Sequence, residues 1–237
     1  MTSETALLLG TAVSIGFFHT ITGPDHYLPF IAMSKARQWN LAKTLFITFV
    51  CGLGHILGSV ILGFVGIFLG VAVLRLENVE ATRGDLAAWF LIIFGLTYAI
   101  WGWHKAIRHK SHKHVHIHED GEAHSHVHSH LGTHSHVHFS KKKKNITPWV
   151  LFTIFVLGPC EPLIPILMYP AAKGSLALVV TVTMVFGLTT IATMMGVVIL
   201  SYASLTQLSF GRMEKYSHAI AGVSIFLCGS AIKFLGL

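Results

Sequence analysis

Residues 23–33 read GPDHYLPFIAM and residues 158–168 read GPCEPLIPILM. Both open on Gly-Pro and then carry Leu, Ile and Met at the same steps. The same ungapped offset of 135 aligns 23–56 with 158–191 and gives 13 identical pairs in 34 positions. They run from Gly23/Gly158, Pro24/Pro159 and Leu28/Leu163 to Gly52/Gly187, Leu53/Leu188 and Ile56/Ile191. Unrelated apolar stretches match at roughly one position in ten, so about 3 or 4 pairs are expected by composition. The chain therefore reads as two related halves, each with a Gly-Pro inside an apolar run. Proline removes a backbone donor and clashes with the preceding turn, so each Gly-Pro predicts a broken helix.

The composition says what surrounds those breaks. The chain has 237 residues, 53% hydrophobic and only 11% charged, with a mean hydropathy of +0.65. A soluble domain carries about a quarter charged residues. Apolar runs cover 5–30, 41–72, 86–106, 147–170, 175–203 and 217–236. The N-terminal MTSETALLLG lacks a basic region, so the first run reads as a retained helix and not a cleaved signal. The expected fold is an all-α integral membrane protein of six transmembrane helices, with the first and fourth broken at Gly-Pro. Three spans per repeat is an odd number, so the second copy enters the membrane from the opposite side. That is the 3+3 inverted repeat of many secondary transporters. The predicted parts are an N-terminal repeat over 1–107, a His-rich loop over 108–145 expected to lack fixed structure, and a C-terminal repeat over 146–237.

Basic residues orient the spans. Thirteen fall on one side: Lys35, Arg37, Lys43, Lys105, Arg108, Lys110, Lys113, Lys141 to Lys144, Arg212 and Lys215. Four fall on the other: Arg75, Arg83, Lys173 and Lys233. The positive-inside rule then places both termini outside the inner membrane and the third loop in the cytoplasm. The net charge of +7 is thus explained by topology and does not call for nucleic acid. Cys51, Cys160 and Cys228 lie in apolar segments without a CxxC pair, so no disulfide framework follows.

Ionisable groups at membrane depth are costly and mark function, and here they cluster at the breaks. His19 and His26 flank Gly23-Pro24, with Asp25 beside His26. On an unbroken helix these histidines stand about 10 Å apart along the axis. That is too far for metal–nitrogen bonds of about 2.0–2.1 Å to one ion, and a break removes the obstacle. After Gly158-Pro159 come Cys160 and Glu161, matching Asp25 and His26. His55 on the second span matches Thr190, next to Thr189. The candidate metal ligands are therefore His19, Asp25, His26, His55, Cys160 and Glu161, with Thr189 and Thr190 as polar lining. Histidine, carboxylate and thiolate suit Ni²⁺, Co²⁺ or Zn²⁺ as a transported substrate, and not Mg²⁺ or Ca²⁺.

The third loop repeats His-x-His: His112, His114, His116, His118, His124, His126, His128, His130, His134, His136 and His138. Such tracts bind metals, and alternation puts neighbouring imidazoles on one face of an extended chain, about 6–7 Å apart.

The His-x5-Asp-His element, the glycine-flanked histidine of the second span (Gly54-His55-Ile56-Leu57-Gly58) and the charged His-rich loop resemble the nickel/cobalt transporter superfamily. That group includes NicO- and NiCoT-type permeases and UreH-like urease-accessory membrane proteins, and is similar to a broader LysE-type group. The family pattern has four residues between the first histidine and Asp-His, whereas this chain has five, Thr20 to Pro24. The resemblance implies nickel or cobalt as substrate and Asp25, His26 and His55 as metal-binding positions.

The leading expectation is therefore a permease for a divalent transition-metal ion, not an enzyme, with no obligatory cofactor. Its partners are the lipid bilayer and the ion, with room for a homo-oligomer or a cytosolic metallochaperone. Three alternatives remain. One is a thiol-disulfide carrier, for which Cys160 must approach a second cysteine such as Cys51. The others are a small-anion carrier and a membrane metal sensor or metallochaperone.

Overall fold

The computed structural model describes residues 3–108, 112–117, 123–128, 146–207 and 211–236. Its helices are α1 (Ser3–Thr22), α2 (Leu28–Arg37), α3 (Leu41–Phe68), α4 (Val73–Arg108), α5 (Thr147–Leu157), α6 (Leu163–Ala172), α7 (Leu176–Gln207) and α8 (Ser217–Leu235). Between α4 and α5 lie two short strands, β1 (His112–Ile117) and β2 (Ala123–His128).

Five helical segments are long and apolar enough to cross a bilayer: Ser3–Thr22, Leu41–Phe68, Val73–Arg108, Leu176–Leu205 and Met213–Leu235. Of the six expected spans, the fourth has no single helix of that length, in line with the break expected at its Gly-Pro. The fourth predicted span is divided into α5 and α6, of 11 and 10 residues, each about half of the roughly 20 residues a crossing needs. The cause is local: Gly158-Pro159 stops α5, and Pro162 starts α6 as its N-cap. The first break is gentler. Gly23 is extended at φ −86° and ψ 96°, Pro24–His26 form one 3-10 turn, and α2 resumes at Leu28.

Helix bounds repeat at the sequence offset. α1 and α5 end at 22 and 157, α2 and α6 span 28–37 and 163–172, and α3 and α7 start at 41 and 176. α3 begins on Asn40, whose side chain accepts the Lys43 amide at 2.9 Å, the usual satisfaction of an orphan N-terminal donor. It stays unbroken for 28 residues, about 42 Å, despite its glycines. α4 starts at Val73, well ahead of the apolar run at 86, so its polar N-terminal third is helix and not connecting loop.

α4 and α8 form the closest seam. A Cβ added to Gly222 would stand 2.2 Å from the Ala99 nitrogen, one on Gly95 2.3 Å from the Phe226 nitrogen, and one on Gly102 2.4 Å from the Ala219 nitrogen. Small residues let membrane helices approach backbone to backbone, where dispersion and weak polar contacts replace the missing hydrophobic drive. Two buried clusters fill the rest. One gathers Phe30, Met33, Cys51, Leu151 and Phe155; the other gathers Ala12, Cys160, Leu163, Leu167 and Phe186. Outward faces are apolar, with Leu7 71%, Phe46 68% and Leu200 71% exposed. A soluble monomer rarely exposes such continuous apolar surface. The chain is a multi-pass membrane protein with lipid as its partner.

Within the loop expected to lack fixed structure, residues 112–117 and 123–128 form an antiparallel ladder. It pairs His112 with His128, His114 with His126 and His116 with His124. The alternation that reads as His-x-His is a period of two, the strand period. His118, His130, His134, His136 and His138 lie outside the described residues.

The seam yields a prediction. Gly222→Val drives a branched side chain into the α4 backbone and lowers stability by about 1–3 kcal/mol or more. Gly10→Ala, with nothing within 4 Å of its Cβ, is neutral or stabilising by about 0.5–1 kcal/mol. Thermal melts of the detergent-solubilised protein measure both.

Candidate functional site

Three imidazoles converge beneath the first break. His19 comes from the last turn of α1, His26 from the 3-10 turn and His55 from the middle of α3. Their ring centroids lie 4.8 Å (His19–His26), 5.0 Å (His26–His55) and 6.4 Å (His19–His55) apart. One nitrogen from each lies within 4.8 Å of the others. The break does this: the chain turns at Gly23 and swings His26 back toward His19.

The outer nitrogens are occupied and the inner ones are not. His26 Nδ1 donates to the Gly23 carbonyl and the Asp25 carboxylate, each at 3.0 Å. His55 uses the Phe155 carbonyl as its backbone partner. That leaves Nε2 of His26 and Nε2 of His55 buried with no hydrogen-bond partner. A buried polar atom without a partner costs about 1–3 kcal/mol, so two side by side are a conspicuous feature. Ligating histidines show this arrangement, one nitrogen fixed by a carbonyl or carboxylate and the other turned to the ion. Both break glycines sit under these rings. A Cβ on Gly23 would stand 2.6 Å from His26 Nδ1, and one on Gly158 3.1 Å from His55 Nδ1. Glycine is thus required here for ring clearance as well as for the break.

Cys160, buried after the second break, brings its Sγ to 3.9 Å from His19 Nε2. Its backbone is held from α4. Glu80, wholly buried, accepts the Cys160 amide at 3.0 Å and the Ser59 hydroxyl at 2.9 Å through Oε2. Its other oxygen pairs with Arg83. Arg83 Nη2 donates to the carbonyls of Val156 at 2.8 Å and Gly158 at 3.4 Å. These are orphan acceptors at the C-terminus of α5, where a cation also suits the helix dipole. Gly58 clears the path, since a Cβ there would stand 2.5 Å from Arg83 Nη2.

The other sequence candidates are placed as follows. Asp25 hydrogen-bonds the outer nitrogen of His26 and so orients that ring. Glu161 is exposed and is not brought to the three histidines. Thr190, the counterpart of His55, is fully buried with its hydroxyl unpartnered, and Thr189 bonds the Val185 carbonyl on its own helix at 2.8 Å. Glu80 was missed by the sequence reading, and Arg83 was counted only as a flanking charge. The available signal was the i, i+3 spacing of opposite charges on the face that also carries Leu76 and Ala87, both buried.

A family model described as cytochrome C biogenesis protein transmembrane region matches residues 27–231. No curated protein matches, and no solved structure matches. The resemblance to the nickel/cobalt transporter superfamily is overturned by this match. That resemblance rested on the histidines and aspartate of the first break, the glycine-flanked His55 and the His-rich loop, short motifs that report local chemistry more than descent. Histidines 19 and 26 precede the matched range, whereas His55, Cys160 and Thr190 fall within it. Of the functions weighed from sequence, the match backs the thiol-disulfide or small-anion carrier better than the metal permease.

The Glu80–Arg83 pair is open to test. Glu80→Ala leaves a buried guanidinium and the Cys160 amide without their carboxylate. Breaking one side of such a pair costs about 3–5 kcal/mol. Adding Arg83→Ala costs less than the sum of the single losses, because the two residues share one network. A double-mutant cycle on thermal unfolding measures both terms.

Proposed function

The chain belongs to the cytochrome C biogenesis protein transmembrane region family, and within it we propose a membrane carrier whose cargo is a divalent transition-metal ion held by His19, His26 and His55. The observation that carries this reading is the pair of buried, unpartnered Nε2 atoms on His26 and His55, with His19 completing the group. Three nitrogens bound to one ion in a tetrahedral set lie about 3.4 Å apart, so the rings need to close by about 1 Å. Imidazole ligands favour borderline ions over hard ones. Asp25 fixes His26 with Nδ1 protonated and Nε2 free. Cys160 stands next in line as a fourth donor. The protein acts as a carrier and not an enzyme.

The matched helix bounds support a further reading, an inverted repeat whose two breaks meet at this site. Transporters of that design place cargo on broken helices near the midplane. The excess of basic residues at one end supports termini outside and the histidine loop in the cytoplasm. The loop histidines then bind the same ion before or after passage.

The family match favours a second reading, thiol-disulfide exchange. It needs the Cys160 thiolate to attack a disulfide of another molecule, forming a mixed disulfide and releasing that molecule's second sulfur as a thiol. All three cysteines are free, and Cys51 and Cys160 pack in separate clusters.

Proteoliposomes loaded with a metal-sensitive dye and offered Zn²⁺, Co²⁺, Ni²⁺ or Mn²⁺ separate the two. On the carrier reading His26→Ala and His55→Ala abolish flux, and Asp25→Asn weakens metal affinity by about 10–100-fold. Wild-type flux in both histidine variants would sink it. Replacing Cys51, Cys160 and Cys228 by Ser leaves histidine-dependent flux in place. A thiol carrier instead shows no metal flux and loses all activity in the cysteine-free protein.

A further inference from the structure

The two ends of the molecule treat their cations differently. At the end where α1 begins and α6 stops, Lys173 pairs with Glu4 and Lys233 with Asp85, and among the described cations there only Arg75 has no carboxylate within ion-pair distance. At the opposite end α2 and α4 stop and α5 and α8 begin. There, among the described residues, Arg37, Lys43, Lys105, Arg108 and Lys215 have no carboxylate within ion-pair distance. Most lie over aromatic rings instead. Arg37 is 5.5 Å from the Tyr98 centroid and 5.7 Å from that of Trp101, and Lys105 is 5.3 Å from Trp101. Lys43 lies over Trp39 at 5.4 Å and Lys215 over Tyr216 at 4.7 Å.

Arg37 and Lys105 therefore share one indole, with no anion between them. Each has a donor to spare. Arg37 gives Nη2 to Thr147 Oγ1 at 2.9 Å, yet its Nε is buried without a partner. Lys105 Nζ donates one hydrogen to His218 Nε2 at 2.9 Å, and His218 Nδ1 donates onward to Tyr98 at 2.8 Å. An ammonium has three hydrogens, so two remain. A cavity of about 280 Å³ opens here, lined by Trp101, His104, Lys105 and Arg108. Beside it Leu96, Ile100, Trp103 and Ile107 form a stripe at helical spacing on α4, each 46–54% exposed.

We propose that this cavity binds the phosphate of an anionic phospholipid, whose acyl chains lie along the α4 stripe. Unpaired cations and the cavity meet the phosphate; the stripe meets the tail. Trp101 and Trp103 mark the headgroup depth at which amphipathic rings settle, and basic pockets between helices are a known mode of headgroup binding. The apolar stripe favours a lipid over a free phosphate ion, which has no use for it. The site lies away from the three histidines and stands whatever the cargo is.

The test uses the intact protein in nanodiscs and in detergent, with native mass spectrometry as readout. Phosphatidylglycerol and phosphatidylcholine of identical chains are offered in equal amounts. Retention of phosphatidylglycerol in clear preference is expected. Lys105→Gln and Arg108→Gln each lower that preference by about fivefold, and Lys173→Gln, at the paired end, does not change it. Arg108→Gln lies at the exposed last turn of α4, so its loss reports the site even if Lys105→Gln fails to fold. Equal retention of the two lipids overturns the proposal. So does displacement of the lipid by inorganic phosphate, which assigns the site to a free anion, or an equal loss with Lys173→Gln.

Discussion

The second break holds only because α4 reaches across to satisfy it. Interrupting a helix inside a membrane frees backbone groups that hydrocarbon cannot solvate. Here Glu80 takes the freed Cys160 amide, and Arg83 takes the carbonyls of Val156 and Gly158. The carboxylate and the guanidinium then neutralise each other. One ion pair thereby fixes the end of α5, the seat of Cys160 and the Phe155 carbonyl that orients His55. The first break is satisfied locally, by the turn from Gly23 to Tyr27 and by the His26 ring on the Gly23 carbonyl. Two breaks of matching sequence thus have different support, and only one depends on a distant helix.

Much of this was legible from the chain. The Gly-Pro pairs gave both interruptions, because proline's lost donor acts locally and needs no tertiary information. The offset anticipated helix bounds that coincide residue for residue at 22/157, 28/163 and 41/176. His19, His26 and His55 come together because a break between the first two shortens a separation that an intact helix would keep. The rest was hidden for physical reasons. Glu80 and Arg83 sit in a charged stretch whose composition reads as a solvated connection, and only packing against α5 turns it into core. The part of Pro162, which starts α6 as its N-cap and so acts together with Gly158-Pro159, was not visible either. The ladder at 112–128 has the strand period, but so does any His-x-His tract without structure. The family resemblance failed for a related reason: short ligand motifs report local chemistry, whereas descent is written in the spacing of whole spans.

The candidate site is asymmetric although the helix bounds match. The nitrogen donors His19, His26 and His55 come from one half, and their counterparts at the offset are Ile154, Glu161 and Thr190, with Cys160 standing opposite Asp25. The two glycines are the symmetric part, each lying under an imidazole, Gly23 beneath His26 and Gly158 beneath His55. The matching glycines keep the space, and what fills it differs between the halves. Thr190, buried with a free hydroxyl where the other half places His55, offers weaker donation at the corresponding point.

The glycine seam between α4 and α8 also bears on how the protein is made. α4 is synthesised well before α8, yet each is the other's tightest neighbour. While the intervening chain is still on the ribosome, Gly95 and Gly102 present bare backbone to lipid, and nothing local can cover them. Contacts so distant in the chain form slowly because the loop between them must first be closed. The His-rich insertion lengthens that loop, though the entropic cost grows only gently with length. The α4–α8 seam therefore forms late, when α8 closes onto a groove waiting since the first half was inserted. Damage to α8 would leave the earlier half threaded and still without its partner, a natural substrate for membrane quality control.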